Sequence, residues 1–246
     1  MTTPTAYLIV AATSGIGESL ARRLAAAGAT LTLTGRDAER VGALATELGA
    51  SHTVLDATDF DAVESCIRDA AGRTGRIDGV VNCAGSLLLK PAHLTSSSDY
   101  AATIAANLTT AFAVTRAAAR VLGDSGGGSI ALVSSAAART GLANHEAIAA
   151  AKAGIIGLTL SAAATYGSRQ VRVNCVAPGL VRTPLTSRIT GSPTAEAASR
   201  AMHALGRLGD ASDIASALAW LIDPANSWVT GQVLGVDGGL ASLRTR

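Results

Sequence analysis

The chain has 246 residues, with hydrophobic side chains at 48%, charged ones at 15% and a formal net charge of +2. That length and apolar content fit one large domain that buries a full core, and they exclude disorder. So small a charge, carried by scattered arginines, lacks the basic footprint that nucleic acid or a membrane surface needs, and the expected partner is a small molecule.

Short apolar or β-branched runs alternate with long Ala/Leu/Arg stretches of helical period, the pattern of βαβ units on a parallel sheet. In chain order, strands are expected at residues 6–11, 30–34, 52–55, 79–82, 129–134, 172–176 and 232–236. Helices are expected near 16–27, 38–48, 60–73, 99–122, 146–166, 195–204 and 212–221. Right-handed crossovers then give an α/β fold of the Rossmann type: a doubly wound, seven-stranded parallel sheet with helices on both faces, in a single domain over 1–246. Ligands of such sheets sit beyond the carboxyl ends of the strands, so functional residues are expected just after strands. Glycines at 126–128 read as a turn entering a strand. The stretch 185–193, part of a substrate-loop region near 185–207, is either a lid over the substrate or an ordinary surface loop.

Cys66, Cys83 and Cys175 are odd in number and far apart, with no CxxC pair, so they are expected to be reduced and packed, and no metal site is expected. The start of the chain has no basic stretch or cleavage site, and its first apolar run is only strand-length, which points to the cytoplasm and away from a membrane. Lys90 and Lys152 are the only lysines in a chain that otherwise uses arginine.

The first strand runs into Ala11-Ala12-Thr13-Ser14-Gly15-Ile16-Gly17 and then a helix. Small residues at a helix start let backbone N–H groups approach a pyrophosphate. The second strand ends at Thr34-Gly35-Arg36, where the adenosine ribose would lie. An acidic residue there would bond a free 2′-hydroxyl, whereas Gly35 leaves space and Arg36 offers a fork of donors for a 2′-phosphate. NADPH (or NADP+) is therefore expected in preference to NADH, unless Arg36 is simply a solvated loop residue. Asp56, followed by Ala57, ends the third strand and could hold the adenine amino group or cap the next helix, although Asp59 is better placed to cap it. Asn82-Cys83-Ala84-Gly85 ends the fourth with small residues that admit a ligand.

Taken together these motifs resemble the short-chain dehydrogenase/reductase family in its classical form, along nearly the whole chain. Ala11–Gly17 resembles its TGxxxGIG turn, with Val10 and Ala11 replacing the Thr and first Gly; 82–85 resembles NNAG, with Cys83 in second place. The resemblance implies roles for Asn107 as the helix asparagine that anchors a water chain, and for Ser135 as the catalytic serine, with Ser134 merely finishing the strand. It likewise implies that Pro178, Gly179, Val181 and Thr183, in a PGxxxT segment, hold the nicotinamide, and that the protein is a tetramer or dimer built through the helices at 99–122 and 146–166.

The resemblance breaks at one residue. The family places Tyr-x-x-x-Lys thirteen residues after its serine, and here that spacing lands on Ile148, with Lys152 one turn later on the same face. Ketone reduction needs a hydride to carbon and a proton to oxygen, and isoleucine supplies no proton. Of the lysine's two implied tasks, holding the nicotinamide ribose and acidifying the tyrosine, only the first survives. His145, three residues before Ile148, either replaces the donor or is a polar residue at a helix start. Two functions follow. One is an NADPH-dependent oxidoreductase acting on a carbonyl, quinone, imine or activated alkene by an altered proton path. The other is a cofactor-binding scaffold without redox turnover, serving as a cyclase, isomerase, dehydratase or sensing partner.

Overall fold

The computed structural model describes residues 4–244, so the outermost residues of the expected 1–246 domain lie outside the described residues. Strand β1 (Ala6–Val10) is buried along its whole length, as a strand covered on both faces must be. It is followed by α1 (Gly15–Ala26), β2 (Thr30–Gly35), α2 (Ala38–Leu48), β3 (Ser51–Val54), α3 (Phe60–Thr74) and β4 (Gly79–Asn82). The second half contributes α4 (Ser97–Ile104), α5 (Thr110–Asp124), β5 (Gly128–Val133), α6 (Glu146–Tyr166) and β6 (Val171–Pro178). Beyond β6 come β7 (Val181–Arg182), α7 (Ser187–Thr190), α8 (Pro193–Met202), β8 (Gly209–Asp210), α9 (Ala211–Ile222) and β9 (Val233–Val236).

Seven of these strands form one parallel sheet in the order β3-β2-β1-β4-β5-β6-β9, as the alternating pattern predicts. The order reverses between β1 and β4, and a crevice opens beyond their carboxyl ends. One apolar core lies between the sheet and α3, α5 and α6, and a second between the sheet and α1, α2 and α9. The stretch Glu146–Arg169 is long and apolar enough by composition to cross a bilayer, yet it packs on β6 and α5. Its hydrophobicity serves a helix that leans on the sheet.

Three expectations need revision. The helix expected at 99–122 is present but not regular: α4 and α5 are joined without a break by a π-helical turn, Ala105–Thr109. The short pair β7–β8 lies outside the main sheet and has too few residues to leave a period in the sequence. Part of 185–193 is helical, since α7 falls inside it, and α8 begins at Pro193, a residue whose missing N–H costs nothing in a first turn.

Candidate active site

The turn after β1 is built by close approaches. A Cβ on Gly17 would collide with the Ala11 carbonyl and come within 2.9 Å of Ser14 Oγ, so only glycine fits. Ser14 caps α1 by accepting the Gly17 N–H at 3.1 Å, and the Glu18 N–H goes to the Ser14 carbonyl at 2.8 Å. The N–H groups of Gly15 and Ile16 then face outward at the positive end of the helix, which suits an anion. Ser14, expected among the cofactor residues, accepts the Gly17 N–H with its hydroxyl oxygen and keeps its O–H proton for an outside acceptor. Ala11 adopts a left-handed backbone, φ 56°, where the resembling motif has glycine.

Thr13 lies over the end of β2, for a Cβ on Gly35 would meet Thr13 Oγ1 at 3.1 Å. Arg36 is exposed beside it, close enough for its charge to act on Asp56. Arg40, in the first turn of α2, donates to the Thr13 carbonyl at 3.0 Å and brings a second guanidinium to the same place. Asp56 accepts the Thr58 N–H and hydroxyl at 2.9 and 2.8 Å, bonds that hold its carboxyl below the usual carboxylate range. Asp59 is the residue that caps α3, accepting from Asp61 and Ala62 N–H groups at 3.0 Å. Ala57 is buried behind Asp56.

At the end of β4, Asn82 is buried; its Oδ1 accepts the Ala84 N–H at 3.1 Å and its Nδ2 donates to Thr110 Oγ1 at 3.4 Å. Gly85 sits between two polar groups: a Cβ there would lie 3.0 Å from Asn107 Oδ1 and 3.4 Å from Lys152 Nζ. Asn107 is fully buried within the π-turn, donating to Ser86 Oγ at 3.0 Å and to the Thr103 carbonyl at 2.9 Å, and accepting the Ser86 N–H at 3.3 Å. Such a turn inserts a residue into the helical register and is a frequent device at functional sites.

Lys152 is 8% exposed, and its Nζ donates to the Val133 carbonyl at 2.8 Å. Burial pushes its ammonium down to about 8, with the Cys83 and Cys175 thiols pulling weakly the other way. The Cys83 thiol is itself pushed up to about 12 by burial. Such a thiol is inert near neutrality. The two serines after β5 divide as their order suggests. Ser134 is buried and donates to the Lys152 carbonyl at 2.8 Å, whereas Ser135 is half-buried and accepts the Ala137 N–H at 3.1 Å, leaving its O–H proton for an outside acceptor. Ile148 is 3% exposed on α6, one turn before Lys152. His145 stands at the N-terminal boundary of α6, with Nδ1 2.8 Å from the Ala143 carbonyl.

The expected nicotinamide segment meets the α1 turn directly. A Cβ on Gly15 would sit 2.9 Å from Thr183 Cβ and Cγ2. Pro178 ends β6, and Gly179 N–H donates to the Val236 carbonyl at 3.3 Å. Val181, expected among the cofactor residues, buries its side chain in the core beside β8. The structure thus gathers Ala11–Gly17, Asn82–Gly85, Asn107, Lys152 and Thr183 around one crevice, with Arg36, Arg40 and Asp56 at its β2–β3 side. Patterning singles out neither Arg40 nor His203, which is buried behind Gly179. Arg40 could have been noticed as a second guanidinium one turn into α2; nothing local marks His203.

Comparison with known proteins agrees with this geometry. A family model described as enoyl-(acyl carrier protein) reductase matches residues 10–241. The chain is 34% identical to a D-threitol dehydrogenase of Mycolicibacterium smegmatis, over 94% of this chain and 91% of that protein. Among solved structures, a short-chain type dehydrogenase/reductase from Mycobacterium ulcerans superposes with a TM-score of 0.94 at 32% identity, covering 99% of this chain and 92% of that one. ElxO with NADP bound superposes with a TM-score of 0.91 at 27% identity, covering 98% of this chain and all (100%) of the other.

Proposed function

The chain belongs to the short-chain dehydrogenase/reductase family, and from that premise we propose that it is an NADPH-dependent oxidoreductase whose proton comes from a group other than a phenol. Its substrate class is a carbonyl, quinone, imine or activated alkene. The observation that carries this reading is Lys152: it is kept, buried and set beside Gly85 and Asn107, while Ile148 fills the place one turn before it. A buried ammonium without a carboxylate costs stability, and binding a ribose gives a reason to keep it.

The crevice fits a nicotinamide dinucleotide, because glycine is required at 17 and 15 by the Ala11 carbonyl and Thr183, and the space they leave opens onto a helix start. When bound, that cofactor supplies the hydride. Gly15 and Ile16 hold the pyrophosphate with backbone N–H groups, supported by Ala11, Thr13, Ser14 and Gly17. Arg36 and Arg40 take the 2′-phosphate, and a phosphate-bearing cofactor in the ElxO structure supports this preference. Asp56 and Ala57 receive the adenine; Asn82, Ala84 and Gly85 form the floor. Lys152 holds the nicotinamide ribose, and the 178–183 loop with Thr183 holds the carboxamide end. Ser135 would polarise the substrate oxygen or its equivalent by a hydrogen bond from its free O–H, keeping its own proton. Asn107 anchors water next to Lys152, and the final proton comes from water, from the substrate or from His145.

We further place the protein in the cytoplasm as a homo-oligomer, a tetramer or dimer joined through the α4–α5 helix and α6, the latter with small residues such as Ala153, Gly157 and Ala164 on its exposed face. Its ligands are small molecules rather than nucleic acid or membrane. Ile148 taken alone favours the second reading, a cofactor-binding scaffold acting as a cyclase, isomerase, dehydratase or sensor. NADPH consumption over a panel of quinones, enones, imines and ketones, alongside calorimetric titration with NADPH and NADH, separates the two. Tight NADPH binding with oxidation by one substrate class is the expected result; tight binding with no oxidation at all supports the scaffold. In the same assay, His145→Ala lowers turnover at unchanged NADPH affinity if the histidine delivers the proton, and unaltered turnover removes it from the path.

A further inference from the structure

The loop that carries Thr183 is held from behind by a residue outside the crevice. Gly179 passes so close to the His203 ring that a Cβ on it would lie 2.6 Å from Nε2. That nitrogen accepts the Leu180 N–H at 3.2 Å, while Nδ1 donates to the Ser199 carbonyl of α8 at 2.7 Å. Accepting at one ring nitrogen and donating at the other defines the Nδ1–H tautomer, so both ring nitrogens are in use. His203 is 2% exposed and Ser199 7%, so neither bond has water as an easy substitute.

The carbonyl of Leu180 is claimed from the same direction, by the Gly209 N–H at 2.9 Å. Both polar groups of one peptide-bonded residue are therefore tied to the chain that leaves α8. Leu205 extends the tie, donating its N–H to the Gly238 carbonyl at 3.1 Å. On the outer side, Arg182 pairs with Glu196 of α8 at 2.6 Å, an exposed contact that adds little by itself. Thr186 closes the front of the loop, donating to the Val181 carbonyl at 2.5 Å.

We propose that His203 is a positioning residue that joins α8 to the 178–183 loop, so that the segment over the substrate and the loop that carries Thr183 move as one body. Movement of α8 on substrate entry shifts Thr183 relative to Gly15, which makes seating of the substrate and placement of the nicotinamide one event. The second half of this statement rests on the oxidoreductase reading given above, since it takes Thr183 to face the cofactor; the mechanical half does not.

Two substitutions dissect the ring. In His203→Gln the amide reaches the place of Nε2 and keeps an acceptor for Leu180, whereas His203→Asn keeps only the donor to Ser199. Amide hydrogen exchange of the protein without added ligand, read by mass spectrometry, reports the coupling directly. Protection of 178–183 is expected to fall roughly 10-fold or more in His203→Asn and to stay near wild type in His203→Gln, with α1 and the sheet unchanged in both. Turnover of any accepted substrate is expected to follow the same split, falling about 10-fold in His203→Asn while the NADPH dissociation constant stays within ~3-fold, because the phosphates are held elsewhere. Unchanged exchange of 178–183 in His203→Asn overturns the coupling. So does equal loss in both variants with a matching fall in melting temperature, the mark of a packing residue alone. If the wild-type protein fails to bind NADPH, the oxidoreductase reading falls, and the exchange experiment still decides whether His203 couples the two segments.

Discussion

At the scale of single residues, Lys152 carries a burden that its neighbours do not relieve. Its ammonium is buried with a carbonyl as partner, and its pKa falls from 10.5 to about 8. A lysine lowered in the folded state binds its proton less well there than in the unfolded chain, so the penalty is complete below pH 8 and disappears as the pH rises to 10.5. Lys152→Met is therefore expected to raise the stability of the ligand-free protein by up to roughly 3 kcal/mol at pH 7 and to weaken NADPH binding by about 10- to 100-fold. The gain fades between pH 8 and 10.5, which paired melting curves across that range would check. Ala11 bears a smaller strain. Its left-handed backbone favours glycine, so Ala11→Gly is expected to gain about 0.5–1 kcal/mol, seen as a rise of ~1–4 °C in melting temperature; a fall would show that the turn is not strained there.

Among the elements, α2 is the one on which the proposed preference for NADPH rests. Its first turn brings Arg40 to Thr13, next to Arg36 at the end of β2. Replacing either arginine with alanine is expected to weaken NADPH by about 10- to 100-fold and NADH by less than ~3-fold, measured by calorimetry. Equal losses for both cofactors would mean that neither guanidinium meets a 2′-phosphate. Residues that sit on a motif, such as Gly15, Asn82, Ser135 and Lys152, are legible in the sequence because strand, turn and helix order fixes their neighbourhood. The π-turn around Asn107 is not, since one extra residue in a helical register leaves the apolar pattern almost unchanged. Membership of a motif likewise does not say which way a side chain points: pairing with β8 turns that of Val181 into the core. His203 was invisible because its partners, Leu180 and Gly179, meet it only after the chain has passed through two helices.

For the whole molecule, the sheet order and the two cores follow from a chain whose buried strands and one-sided helices agree at every step, which is why the doubly wound architecture is legible in the sequence. The same agreement isolates the disagreement at Ile148. On the proposed reading, a chain that keeps the crevice, the serine and the buried lysine carries isoleucine at the one position where the resembling family has its proton donor. The most direct test is the rate of NADPH oxidation by an unactivated ketone in the wild-type protein and in Ile148→Tyr, with NADPH affinity measured in both. The expected result is equal affinity and a rate at least ~100-fold higher in the variant, the usual contribution of a positioned general acid. Ketone reduction by the wild-type protein as fast as by Ile148→Tyr would contradict it, because the native site would then already hold a donor as effective as the missing phenol.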